Sequence, residues 1–96
     1  MSKAKINPIN SELGKILNDV GIPYFLMSVS HLYDAGYRNM TDESVKETIE
    51  GIKKRDDKGA IMTNDFMIFL VETAYKLSKI ANPLELAKFV SKYVNY

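Results

Sequence analysis

The sequence predicts an all-α fold, a compact bundle of about five short helices with two central helices that are apolar on nearly every side. Three observations predict it. Apolar residues recur at i, i+3, i+4 and i+7 along most of the chain. Glycine, proline and capping residues interrupt that pattern at helix-length intervals. No segment alternates apolar and polar residues with period two over more than a few positions; GAIMT, residues 59–63, could extend but has no partner strand. Ninety-six residues bound the chain to one helical domain, residues 1–96, with residues 1–9 expected as a flexible N-terminal segment.

Helix one is expected at about 11–20, where Leu13, Ile16, Leu17 and Val20 share a face, Asn10 or Ser11 can cap the start and Gly21 supplies a left-handed stop. Helix two follows at 23–35, opened by Pro23 in the first turn and closed by Gly36. Tyr24, Phe25, Leu26, Met27, Val29, Leu32, Tyr33 and Ala35 cover most of its circumference and leave Ser28, His31 and Asp34 as a narrow polar stripe. Helix three, about 42–55, is amphipathic: Thr41 caps it, Asp42 and Glu43 face the positive end of the dipole, and Lys53, Lys54 and Arg55 close it. Helix four, about 65–80, is capped by Thr63 or Asn64 and is again apolar around its first two turns, from Phe66 to Val71. Helix five, 83–94, has the sharpest start, with Asn82 as cap, Pro83 at the first position and Glu85 completing a capping box.

Composition narrows the function classes. Thirteen basic and twelve acidic residues leave a net charge of +1, which supports neither an acidic nucleic-acid mimic nor a protein held on DNA mainly by phosphate neutralisation. The absence of cysteine excludes disulfides, thiolate metal sites and cysteine nucleophiles. No apolar run follows Lys3 and Lys5, and the longest, residues 66–71, is far short of the roughly 20 residues that span a bilayer, so the expected location is the cytoplasm. Heavy use of lysine, isoleucine, asparagine and tyrosine suits an AT-rich genome such as that of a phage or a low-GC bacterium.

The candidate chemistry is thin. Ser28, His31 and Asp34 sit three residues apart on one helical stripe, but three groups on one face cannot converge as nucleophile, base and orienting acid, so no catalytic residue is assigned. No glycine belongs to a phosphate-binding cluster, and one histidine without cysteine makes a poor transition-metal site. Residues 54–66, KRDDKGAIMTNDF, place Gly59 at a sharp turn, Ile61 two positions on, then Asp65 and the aromatic Phe66, between two helices. This stretch resembles an EF-hand loop and its exit, which implies a helix-loop-helix and, in that family, a calcium site. Lys54 and Lys58 depart from the pattern: they set ammonium groups at the first and fifth ligand positions, where oxygen is required, so no metal or cofactor is expected.

Two surface features remain. Lys76, Lys79, Lys88 and Lys92 make the C-terminal helices basic, whereas Asp42, Glu43, Glu47 and Glu50 make helix three acidic. The two apolar helices also carry more apolar surface than three short amphipathic helices can cover. The expected function is therefore non-enzymatic: a small regulatory protein, of the phage accessory or immunity and inhibitor kind, that docks on a partner protein and forms a homo-oligomer, a dimer in the simplest case. Tyr24, Phe25, Met27, Met67, Phe69, Tyr93 and Tyr96 are the expected interface residues. The alternatives are a nucleic-acid-binding regulator using Lys76, Lys79, Lys88 and Lys92, and a small virion or assembly component.

Overall fold

The computed structural model describes residues 8–93, and the chain there is all helical, with no strand among the described residues. The order is α1 (Pro8–Val20), α2 (Ile22–Ala35), a 3-10 turn (Tyr37–Asn39), α3 (Asp42–Lys53), α4 (Asn64–Ile80) and α5 (Pro83–Val90). No described helix is long and apolar enough to cross a membrane. The expected capping residues are found at three starts. Thr41 accepts from the Ser44 N–H, Thr63 from the Phe66 N–H and Asn82 from the Glu85 N–H, each satisfying a donor that the helix leaves unpaired.

Helix bounds depart from expectation at both ends of the chain. Helix α1 starts at Pro8, three residues early, because proline has its φ preset for the first turn; Asn10 and Ser11 lie inside the helix and do not cap it. Residues 1–7 lie outside the described residues. At the other end α5 stops at Val90, where the Lys92 and Tyr93 N–H groups donate to the Phe89 and Val90 carbonyls and tighten the last turn. Ser91 adds a bond from its hydroxyl to the Lys88 carbonyl.

Helices α2 and α4 lie side by side at the centre. Tyr24 meets Phe66 at one end, and at the other the Tyr33 hydroxyl donates to the Pro83 carbonyl, 3.1 Å away, just past the end of α4. Phe25, Val29 and Leu32 of α2 join Val71, Ala74 and Leu77 of α4 in the core. Around them pack Leu13 and Leu17 of α1, Val45 and Ile52 of α3, and Leu86 and Phe89 of α5. Phe25, Leu32, Leu77 and Leu86 are fully buried, and burying one such side chain stabilises the fold by about 1.5–3 kcal/mol.

One residue, Gly21, joins α1 to α2, with φ 89° and ψ 155°. This is the mirror-image extended region, not the left-handed helical stop that the sequence suggests; only glycine enters it without strain. Gly21→Ala is therefore expected to cost about 1–3 kcal/mol in urea denaturation. Gly14→Ala serves as its control: position 14 is helical with open space around a Cβ, and the change should stabilise by about 0.5–1 kcal/mol.

The Tyr37 hydroxyl is buried with no hydrogen-bond partner among the described residues. Burial pushes its pKa up to about 12, with smaller contributions from Tyr33 and Glu85. The unfolded chain ionises first, near pH 10, and so holds fewer protons than the native state between pH 10 and about 12. Native stability should fall as pH rises through that window. In denaturation series at pH 9 and pH 11, Tyr37→Phe should remove this component of the fall and, by deleting the unpaired hydroxyl, leave the protein at least as stable at pH 9.

Candidate docking groove

Ser28, His31 and Asp34 do not form the polar stripe expected from their spacing. Ser28 sits between Phe25 and Leu32 on the core side of α2 and is fully buried; its hydroxyl donates to the Tyr24 carbonyl one turn back, at 2.9 Å. His31 and Asp34 turn the other way, onto a groove of about 390 Å³ between α2, α3 and the start of α4. Its apolar walls are Met27 from α2, Ile52 from α3, Met62 from the α3–α4 loop, and Met67, Leu70 and Val71 from α4. Ser30, His31, Asp34 and Thr48 are the polar groups that line it. Three of the chain's five methionines thus meet on one groove, whose lining can reshape around what enters it.

An aromatic cluster lies at the starts of α2 and α4. The Tyr24 ring stands edge-on to Phe66 at 5.2 Å and to Phe69 at 6.3 Å, and Phe66 and Phe69 lie 6.3 Å apart. Such pairs contribute about 0.5–1.5 kcal/mol beyond the area they bury. The cluster still faces water: Tyr24 is 46% exposed, Ile22 as much, and both phenylalanines are half-buried. Tyr24 is one turn before Met27, and Phe66 is next to Met67, so cluster and groove share two helices.

Tyr24, Met27, Met67 and Phe69, four of the residues expected at an interface, are gathered here. Phe25 is a correction. It has 0% exposure and packs on Phe89 at 5.7 Å, because its position on α2 points between Ser28 and Val29 into the core. Tyr93 belongs to the turn after α5, its ring tilted against Phe89 with centres 5.4 Å apart, and is 38% exposed. Tyr96 lies outside the described residues. Met62 and Phe66 were not expected at the surface. Met62 lies in a loop where periodicity says nothing, and Phe66 reads as one of six consecutive apolar residues.

The four lysines of the expected anion face are divided. Lys76 and Lys79 share a hollow between α1 and α4 with Lys15, but Glu12 and Asp19 line it too, and the Lys79 Nζ rests 4.9 Å from the Tyr75 ring centre. Lys88 and Lys92 lie at the end of the chain, on α5 and the turn after it, Lys92 with its Nζ 5.7 Å from the Phe89 ring.

The stretch with EF-hand character does form a helix-loop-helix, closed by its own side chains. The Arg55 guanidinium donates to the Met62 carbonyl at 2.7 Å and to the Asn64 side chain at 3.0 Å, and Asn64 returns a bond to the Arg55 carbonyl. Asp57 accepts from the Asn64 N–H, and Asp56 from the Lys58 N–H. Loop carboxylates are thus engaged internally, and no group of three or more histidine, aspartate or glutamate side chains among the described residues could hold a metal ion. Through Met62 this closure also sets one wall of the groove.

Comparison with protein-family models, with curated proteins and with solved structures gives no match.

Removing the guanidinium should loosen both loop and groove. Arg55→Ala is expected to lower stability by roughly 0.5–1.5 kcal/mol and to shift the Met62 methyl resonance. Arg55→Lys should not restore either, since an ammonium lacks the planar fork that reaches two acceptors at once.

Proposed function

We propose that the protein is a non-enzymatic docking protein that receives the apolar face of a helix from a partner protein in the groove between α2, α3 and α4. The observation that carries this reading is the open groove in which Met27, Met62 and Met67 meet, with the water-facing Tyr24 and Phe66 at the starts of the same two helices. A helix laid into a groove presents anchors at i, i+3 or i+4 and i+7, and flexible thioethers accommodate such anchors without a fixed shape. Aromatic rings such as Tyr24 and Phe66, at the starts of the helices that form the groove, supply the kind of large, stiff contact that dominates interface energy. A volume of about 390 Å³ receives a few anchoring side chains, not a whole helix, which matches docking on an open face.

The test is methyl-resolved NMR with the methionines labelled, during titration with a synthetic amphipathic helix of leucine anchors and a glutamine polar face. Met27, Met62 and Met67 should shift, while Met40, a buried core residue that does not line the groove, should stay in place. Light scattering on the same samples distinguishes a second copy as occupant: doubled mass without peptide, with the same three methyls perturbed, assigns the groove to self-association. Three methyls that move under neither condition would remove the docking reading.

A further inference from the structure

We propose that Met27, His31, Met62 and Met67 form a binding site for a soft monovalent cation, copper(I), in the groove between α2, α3 and α4. The site goes beyond docking and does not depend on it, although both use the same groove.

All four side chains line one hollow of about 390 Å³. Three elements supply them: α2 gives Met27 and His31, the α3–α4 loop gives Met62, and α4 gives Met67. Met27 and His31 are four residues apart, so α2 sets a thioether and an imidazole one turn from each other on the same face. Met67 and Val71 have the same spacing and both line the hollow, which puts the facing thioether on the groove side of α4. The backbone of Met62 is held before any ion arrives, because the Arg55 guanidinium donates to its carbonyl at 2.7 Å. In a hollow of this size, methionine side chains, with three rotatable bonds each, can turn their sulfurs to a common point. Each of the four residues is half-buried, so an ion can enter from water without the core opening.

The donor set decides the ion. Thioethers are uncharged, polarisable ligands that select copper(I), whereas calcium and magnesium demand oxygen. Zinc sites are built from thiolate, imidazole and carboxylate. The chain has no cysteine, and no group of three histidine, aspartate or glutamate side chains among the described residues could hold a metal ion. Three thioethers supply what one histidine without cysteine cannot. Asp34 lines the same hollow three residues after His31, a spacing at which a carboxylate can accept the second ring N–H and orient a metal-bound imidazole. Lys53, Lys54, Arg55 and Lys58 are exposed, at the end of α3 and in the loop, and none lines the hollow. A singly charged ion held by bonds to sulfur and nitrogen meets less opposition from them than a divalent ion would.

Silver(I), an air-stable stand-in for copper(I), is titrated against the full chain, with the methionine methyls and the His31 ring followed by NMR and stoichiometry by native mass spectrometry. One ion should bind per chain and shift Met27, Met62, Met67 and His31 together, while Met40, buried in the core, stays in place. Copper(I) added without oxygen should reproduce these shifts, and calcium and magnesium should cause none. Met27→Leu, Met62→Leu, Met67→Leu and His31→Phe keep apolar bulk but remove a donor. Each should weaken silver binding at least roughly tenfold, the loss that even an outer-shell partner produces. Met40→Leu should bind as the parent does. The shifts are read on the unaltered chain, so they decide the matter even where a variant unfolds. No silver binding, shifts confined to a single methionine, or an affinity unmoved by all four substitutions would overturn the site. A chain that binds the glutamine-faced helix and not silver loses the metal site alone; one that binds silver and not the helix loses docking alone.

Discussion

Packing of α2 against α4 is the constraint that the other elements answer to. Both helices are apolar over most of their circumference, and each gives one side to the other: Phe25, Val29 and Leu32 meet Val71, Ala74 and Leu77 in a common core. What remains of each circumference must be covered by α1, α3 and α5, of 13, 12 and 8 residues. Small domains have little chain to spare for this, and here the cover runs out on one side. Leu13 and Leu17 close the α1 side of the core, and Leu86 and Phe89 the α5 side. Between α2, α3 and the start of α4 the surface of the described residues stays open, and the groove is the part of the central pair that α3 borders without filling.

The α3–α4 connection decides the shape of that opening. In an EF-hand the loop is ordered by an ion, and the exposure of the groove then depends on whether the ion is bound. Here a guanidinium from within the loop makes bonds to a backbone carbonyl and an amide, and Asp56 and Asp57 hold loop N–H groups. A cation built into the chain is always present. One wall of the groove is accordingly set by a bond made within the chain.

Most of the architecture was legible in the sequence because it is written in local chemistry. Thr41, Thr63 and Asn82 cap helices through bonds that span three residues, and Gly21 and Gly36 mark joints by a backbone freedom that no other residue has. The two apolar helices could likewise be recognised as central from their composition. Orientation within them could not. On a helix apolar all round, periodicity no longer distinguishes core from edge: Phe25, expected at an interface, is buried, and Phe66, which no pattern singles out, stands half-buried against the exposed Tyr24. Met62 is legible in neither pattern, since a hydrogen bond from Arg55, seven residues away, sets its place. Ser28 illustrates the same limit for polar groups: spacing put it with His31, but its own back-bond to Tyr24 allows it to be buried.

The combination of soft walls and a braced aromatic cluster has a physical logic. A methionine wall gives up shape selectivity, because thioethers repack around different anchors at little cost. The rigid part of the surface is the Tyr24, Phe66 and Phe69 cluster, whose rings brace one another and lose little freedom on contact. The starts of α2 and α4 thus carry a braced set of rings, while the groove between α2, α3 and α4 has walls that can repack.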